Sequence, residues 1–184
     1  DGVSLNNWEK YNITSENQIL NNYKGESIDT ELSGIIYGNP NFLPPGINEA
    51  RIIINQVTGN NKSDLNGYVE IAGRKAELII ANPNGINISG AGFINTNNLT
   101  IISGALNLDL DSKINNINLG RELDNNIIIY GINTPTYINL GLDASQVDYV
   151  DIVSRSISIF GDIHAKNEIN FKTGNKTYAY NSMQ

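Results

Sequence analysis

Short apolar runs, broken every few residues by Gly, Asn, Asp or Ser, make up most of the chain. The runs are mostly three to six residues long, and residues 76–81 and 127–131 are clear examples. β-strands have this length, whereas an amphipathic helix repeats its apolar residues at three- and four-residue spacing over about ten residues or more. The best helical candidate, residues 19–23, is short and polar. The pattern therefore predicts an all-β protein.

The spacing of the runs favours one all-β architecture. The predicted strands cover residues 51–57, 67–72, 76–81, 86–88, 93–95, 99–103, 106–110, 114–119, 127–131, 137–140, 150–153, 156–160, 162–165 and 168–171. Most are separated by two to five residues, which is tighter than the roughly 8- to 12-residue spacing of sandwiches. A parallel β-helix fits better, because each coil of roughly 20 to 25 residues supplies two or three short strands and stacks on its neighbour at about 4.8 Å.

Asparagine and isoleucine dominate the composition, with 31 Asn and 29 Ile among 184 residues. Ile favours strands and can stack on Ile inside a solenoid. Asn makes sharp turns and can form hydrogen-bonded ladders at repeated corners. The first 50 residues differ, since they are more charged and contain the only Trp, Trp8. Because a solenoid must cover its open end, we predict a single domain over 1–184, with a cap over 1–50 and coils over 51–184.

Two corners with the pattern Asn-Pro-Asn stand out. Asn82-Pro83-Asn84-Gly85 matches a type I turn, with Asn at the first position, Pro at the second and Gly at the fourth. Asn39-Pro40-Asn41-Phe42 repeats the corner without the Gly. The pattern predicts two rigid turns between coils.

The net charge of −7 narrows the range of partners. Nucleic acids and anionic membrane surfaces attract basic proteins, so we expect neither as a partner. No apolar run approaches the roughly 20 residues of a membrane helix, and we expect a monomer without stable membrane insertion. The absence of Cys excludes disulfides, thiolate metal sites and cysteine nucleophiles. The chain starts at Asp1 without Met, as expected for a processed terminus or a cut fragment.

Paired carboxylates are candidates for catalytic or calcium-binding groups. Asp109 and Asp111 lie two residues apart, so a strand would place both on one face. The leucines between and before them are expected to point inward, which leaves the aspartates in water. We expect the same of Asp148 and Asp151. No catalytic residue, metal site or cofactor is predicted from these pairs.

Two further features could carry chemistry. His164 is the only histidine and cannot by itself build a histidine zinc site, so we expect it at a surface or corner. Gly90-Ala91-Gly92 lacks the Lys-Ser/Thr and the helix that a phosphate-binding loop requires.

Several motifs in a fixed order resemble the secretion domain of two-partner secretion exoproteins, a group that includes filamentous haemagglutinin-like adhesins, haemolysins and contact-dependent inhibition toxins. The resemblance rests on residues 50–59, 65–73, 81–86, 90–96 and 148–175. It covers nearly the whole chain.

The resemblance implies a right-handed parallel β-helix with an N-terminal β-cap. It also implies export by a cleaved signal, recognition in the periplasm by the POTRA domains and barrel of a dedicated outer-membrane transporter, and a secreted or cell-surface location. The two marker motifs of the family fall on Asn39, Pro40, Asn41 and Phe42, and on Asn82, Pro83, Asn84, Gly85 and Ile86. The first motif usually ends in Leu, so Phe42 could shift partner specificity.

Two other functions stay open at this point. An adhesive module would bind a host or neighbouring cell through a face of the β-helix. A polysaccharide-degrading β-helix enzyme would need clustered Asp with Lys or Arg along one exposed sheet, and the 12 Lys and Arg residues are scattered.

Overall fold

The computed structural model describes residues 2–109, 113–119, 126–136, 138–175 and 177–179. In chain order the strands are β1 (Val3–Trp8), β2 (Gln18–Asn22), β3 (Ser27–Thr30), β4 (Gly34–Tyr37), β5 (Ile52–Val57), β6 (Ser63–Leu65), β7 (Tyr68–Gly73), β8 (Ala76–Ala81), β9 (Ile86–Ser89), β10 (Ala91–Ile94), β11 (Thr96–Ser103), β12 (Ala105–Leu108), β13 (Ile114–Asn118), β14 (Asn126–Tyr130), β15 (Leu140–Ala144), β16 (Tyr149–Ser154), β17 (Ser156–Ile159), β18 (Asp162–Ala165), β19 (Glu168–Thr173) and β20 (Thr177–Ala179). A short 3-10 helix covers Pro40–Phe42.

Three parallel sheets form the sides of a β-helix. The first sheet has the order β1-β5-β8-β11-β16-β19, the second β17-β14-β9-β6, and the third β18-β15-β10-β7-β2. Each coil visits the sheets in turn, as β5, β6 and β7 do before β8, β9 and β10. Every neighbouring pair within these sheets is parallel, so the predicted parallel β-helix is confirmed.

The interior is a stack of aliphatic side chains. Ile86, Ile127 and Ile157 lie in register on consecutive coils of the second sheet, which confirms the predicted stacking of Ile on Ile. The main apolar cluster joins all three sheets and includes the fully buried Leu78 and Leu99. Burial of such side chains contributes about 1.5–3 kcal/mol each relative to exposure.

Two antiparallel insertions lie outside the coils. The β3–β4 hairpin and the 3-10 helix come between the first and second coils. The β12–β13 hairpin, joined by β20, comes between β11 and β14. A second apolar cluster, which includes Ile79, Ile102 and Ile117, packs the outer face of the first sheet against β12 and β13. The first sheet is therefore apolar on both faces.

Some sequence predictions were wrong in detail. Residues 19–23, the helical candidate, fall mostly in β2, because pairing with β7 overrides a weak local preference. Strands β1, β3, β4, β6 and β20 were not predicted from the apolar runs. Parts of the predicted strands at 106–110 and 137–140 lie outside the described residues. The division into a cap and coils near residue 50 stays a prediction, although β1 and β2 share sheets with β5 and β7.

Asparagine side chains join neighbouring coils along strands in single pairs, not in the ladders expected at corners. The Asn6 carboxamide donates to Oδ1 of Asn55 on the next coil at 3.0 Å, and Asn87 donates to Asp64 at 2.9 Å. At corners, Asn side chains instead bind main-chain groups. Asn95 is one example, because its carboxamide donates to the carbonyls of Ile71 and Gly73. Corner asparagines therefore donate hydrogen bonds to the backbone of a neighbouring coil.

The close approach of coils at their corners generates a stability prediction. A Cβ added to Gly161 would lie 2.6 Å from the backbone of Gly131 on the preceding coil, so the backbone must move. We expect Gly161→Ala to lower the free energy of unfolding by about 1–3 kcal/mol, measured by urea denaturation. Ser158→Ala, an exposed change on β17, serves as the control and should stay within about 0.5 kcal/mol of wild type. Equal stability of the two variants would contradict this account.

Candidate functional site

The second marker corner, Asn82-Pro83-Asn84-Gly85, is a tight turn at the end of β8. The N–H of Gly85 donates to the carbonyl of Asn82 at 3.3 Å, as in a type I turn. Oδ1 of Asn82 accepts from the N–H of Asn84 at 2.9 Å, which closes an Asx turn. Gly85 has φ +110°, a value that favours glycine. The predicted rigid turn is therefore present.

Two asparagines fasten this corner to the loop of the preceding coil. The Asn82 carboxamide donates to the carbonyl of Asn61 at 2.8 Å and to Oγ of Ser63 at 2.9 Å. The Asn84 carboxamide donates to the carbonyl of Gly59 at 2.8 Å. Asn82 and Ser63 are both completely buried, so the Ser63 hydroxyl would lose this partner without access to water if the Asn82 side chain were removed.

The first marker corner, Asn39-Pro40-Asn41-Phe42, uses the same chemistry. Oδ1 of Asn39 accepts from the N–H of Asn41 at 3.0 Å, and Pro40 begins the 3-10 helix. The Asn39 carboxamide donates to the carbonyl of Asn21 at 2.8 Å, within the edge strand β2. In both corners, one Asn closes the turn and also binds a carbonyl of another segment.

The corners differ in exposure. Around the second, Asn82, Gly85 and Ile86 are buried, and Pro83 and Asn84 are half-buried. Around the first, Pro40 and Asn41 are exposed, and Asn39 and Phe42 are half-buried. The first corner therefore presents two exposed side chains to a partner, whereas the side chains of the second corner are buried or half-buried.

Exposed apolar side chains surround the first corner. Tyr37 is 82% exposed, and Ile35 and Leu43 are both 76% exposed. Ile35 and Tyr37 are two residues apart on β4, so they project from the same side of the hairpin. Exposed groups of large apolar residues often mark interaction sites.

A cavity of about 360 Å³ lies beneath the first corner. It opens between the edge strands β1 and β2, and its lining includes Trp8, Leu20 and Phe42. Both strands are at the ends of their sheets, so one edge of each is unpaired. A Leu in place of Phe42 would leave more space in this cavity.

A buried carboxylate anchors the neighbouring hairpin. Glu70, on β7, accepts hydrogen bonds from the N–H groups of Glu31 at 3.0 Å and Leu32 at 2.9 Å, just after β3. Sequence reasoning missed this contact, because a Glu within an apolar run gives no sign of which distant backbone it binds. The hairpin and β7 also line a cavity of about 280 Å³ with Asp29 and Lys75.

The carboxylate pairs do not assemble into a site. Asp109 is exposed and accepts from the N–H of Lys113, as a turn-forming residue would, and Asp111 lies outside the described residues. Oδ1 of Asp148 accepts from Nζ of Lys166 at 2.7 Å, an ion pair that lowers the pKa of Asp148. Among the described residues, no group of three or more His, Asp or Glu side chains could hold a metal ion.

Asp151 corrects a prediction. Expected in water, it is only 1% exposed, because the outer face of the first sheet is covered by the second apolar cluster. Neither carboxylate oxygen has a hydrogen-bond partner among the described residues, and Nζ of Lys172 lies 3.7 Å from Oδ1. Burial raises the pKa of Asp151, and Lys172 offsets part of that rise.

His164 and residues 90–92 form parts of the β-helix itself. His164 is half-buried in β18 rather than at a corner, in register with Asp143. Oδ2 of Asp143 accepts from the hydroxyl of Tyr68 at 3.2 Å, and the Tyr68 ring reaches it by lying across Gly92. Gly90, at φ +71°, makes a corner before β10. No described helix is long and apolar enough to cross a membrane.

The two corners predict different losses of stability. Asn82→Ala removes a buried side chain and leaves the buried Ser63 hydroxyl without this partner, so we expect a loss on the order of 3 kcal/mol in the free energy of unfolding. Asn39→Ala removes two bonds at a partly exposed site, where water can replace them, and we expect about 1 kcal/mol. Urea denaturation followed by circular dichroism measures both. Asn41→Ala is the matched control, because that side chain is exposed; a larger loss for Asn39→Ala than for Asn82→Ala would contradict the burial argument.

Asp151 predicts a pH dependence. Its pKa is higher in the folded state than in the unfolded state, so folding is favoured by protonation and the free energy of unfolding falls as pH rises between the two values. At pH values above the pKa of Asp151 in the folded state, we expect Asp151→Asn to have a higher free energy of unfolding than wild type. This difference should vanish as the pH falls toward the pKa of Asp151 in the unfolded state. Asp148→Asn should show the opposite sign, since Lys166 lowers that pKa. Urea midpoints across the acidic and neutral range measure both, and a stability gain of wild type over Asp151→Asn with rising pH would refute the prediction.

Known proteins share both the sequence and the fold. Residues 1–184 match the TPS secretion domain family. The chain is 42% identical over 166 residues to the 16S rRNA endonuclease CdiA of Enterobacter cloacae, and 35% identical over 182 residues to the tRNA nuclease CdiA-2 of Burkholderia pseudomallei. These matches cover 90% and 99% of this chain but 5% of each relative, so the chain spans a small part of their length.

A solved structure has a similar fold. The crystal structure of the filamentous hemagglutinin secretion domain superimposes with a TM-score of 0.81 at 26% identity, covering 97% of this chain and 56% of that one. Taken with the match over the whole sequence, this means that the chain belongs to the TPS secretion domain family of two-partner secretion exoproteins.

Proposed function

We propose that this domain is the part of a large exoprotein that the POTRA domains of a cognate outer-membrane transporter recognise in the periplasm, before the chain crosses the transporter's barrel. A cleaved signal directs the parent protein through the inner membrane, and the domain reaches the cell surface or the medium. The observation that carries this proposal is the exposure of the first corner beside the apolar side chains of Ile35, Tyr37 and Leu43.

Charge and geometry support the choice of this surface. The segment 24–49 contains four acidic residues, Glu26, Asp29, Glu31 and Glu49, and one basic residue, Lys24. A partner surface that is basic and apolar would complement it, and charge complementarity speeds association and selects partners. The unpaired edges of β1 and β2 could also accept a strand from the transporter.

The second corner has a different role in this proposal. It fastens β8 and β9 to the loop of the preceding coil, so it forms when two coils have already met. Outside the cell, each coil buries apolar side chains on the coil before it, and this biases movement of the chain outward without ATP. The first coils thus nucleate folding of the later coils.

The parent protein's activity lies outside this domain in our proposal. The relatives named above are nucleases of the CdiA type, and this chain matches about 5% of their length. A contact-dependent inhibition toxin is therefore the parent we favour over an adhesin or a haemolysin.

Secretion in the presence and absence of the transporter tests the recognition role. With an export signal attached, we expect the domain in the medium only when the cognate transporter is present. Asn39→Ala should reduce secretion while the purified variant still folds, because the first corner is exposed. Asn82→Ala should reduce secretion together with folding.

The control variant Asn41→Ala removes an exposed side chain and leaves the hydrogen bonds of Asn39 in place, so it distinguishes loss of the turn from loss of a side-chain contact with the transporter.

Phe42→Leu should fold as wild type does and change secretion only with some transporters. Transporter-independent secretion, or none with the transporter, would overturn the proposal and bring the adhesive module forward.

A further inference from the structure

Two Asn-Gly dipeptides occur in the chain, at Asn66-Gly67 and Asn84-Gly85. Glycine has no side chain to hinder its own nitrogen, so that nitrogen can reach the carboxamide carbon of the preceding Asn. From the local sequence alone, both dipeptides would be similarly reactive. The fold places them in opposite environments.

Asn66 lies at the corner between β6 and β7 and is exposed. Its main-chain N–H donates to the carbonyl of Ile13 at 2.8 Å. Among the described residues, neither its carboxamide nor the N–H of Gly67 has a hydrogen-bond partner. Both reacting groups are therefore unrestrained by hydrogen bonds, and water has access to the carboxamide.

In the second dipeptide, by contrast, both the Asn84 carboxamide and the N–H of Gly85 make hydrogen bonds. Its carboxamide nitrogen donates to the carbonyl of Gly59 at 2.8 Å and to Oδ1 of Asn82 at 2.9 Å, and it lies 3.4 Å from the carbonyl of Asn61. The N–H of Gly85 donates to the carbonyl of Asn82 at 3.3 Å. Attack within this dipeptide requires the corner to open first.

We propose that Asn66 is a site of spontaneous deamidation in the folded domain, and that Asn84 becomes one only when the second corner unfolds. The Gly67 nitrogen attacks Cγ of Asn66 and loses its proton, a C–N bond forms, and the carboxamide nitrogen leaves as ammonia. Water then opens the resulting cyclic imide at either carbonyl, giving aspartate or isoaspartate. The net change is one water consumed and one ammonia released, with no redox step.

The modification would act on contact between the first two coils. Gly67 lies directly under the carbonyl of Thr14, since a Cβ there would be 1.9 Å from that oxygen. The next residue, Tyr68, donates its N–H to Oδ1 of Asn17. An isoaspartyl link adds one atom to the backbone at this corner, and we expect it to loosen the stacking of the second coil on the first.

Peptide mapping by mass spectrometry tests the proposal on the intact domain. The folded protein and the same protein in concentrated urea are incubated at mildly alkaline pH, and amide loss at each Asn is followed with time. In the folded protein we expect Asn66 to react at least about tenfold faster than Asn84, because closed local structure suppresses the second reaction. In urea the two rates should agree within about twofold, since the protecting contacts are gone.

Two variants sharpen the comparison. Asn66→Gln should abolish the first reaction, because a longer side chain requires a larger ring. Asn82→Ala removes two of the contacts around Asn84 and should raise its rate in the folded protein without changing that of Asn66. If Asn66 keeps its amide in the folded protein as long as Asn84 does, or if Asn84 reacts first, the proposal is overturned. The wild-type comparison decides this even if Asn82→Ala does not fold.

Discussion

The close stacking of coils limits which residues the structure can accommodate, and this limit is strictest at the corners. Strands in a sheet lie about 4.8 Å apart, so the chain has little room where one coil turns above another. A side chain at Gly161 would collide with backbone of the coil before it. Corners also leave main-chain carbonyls without strand partners, and buried carbonyls need hydrogen bonds. Glycine solves the first difficulty, and asparagine, whose carboxamide both donates and accepts, solves the second.

The two marker corners use this solution at different depths. Asn82 is completely buried within the stack of coils, where it donates hydrogen bonds to Asn61 and Ser63 of the preceding coil. Asn39 binds the carbonyl of Asn21 in β2, which is the end strand of its sheet in the part of the chain that the structure describes. The same local chemistry thus produces a buried fastening in one place and a presented surface in the other.

The insertions give the β-helix its distinct surfaces. The β3–β4 hairpin is fixed to the third sheet by Glu70, which places Ile35 and Tyr37 in solvent next to the first corner. The β12–β13 hairpin instead covers the first sheet and buries Asp151, a carboxylate that the covered face does not fully satisfy. One insertion therefore creates an exposed surface, and the other adds a second apolar layer together with a pH-sensitive group.

The sequence by itself determined the fold class, the stacking of Ile on Ile and both turns, because each depends on short-range pattern: strand-length apolar runs, and Asn-Pro-Asn with its fixed φ and Asx bond. The family, too, could be inferred from motif order. Only the tertiary structure decided that β2 is a strand, that Asp151 is buried and that Asn82 is enclosed while the first corner is open. The physical reason is that these properties depend on contacts with residues far along the chain. Asn82 meets Asn61, and Asn39 meets Asn21, and no local pattern reveals which neighbour will cover a corner.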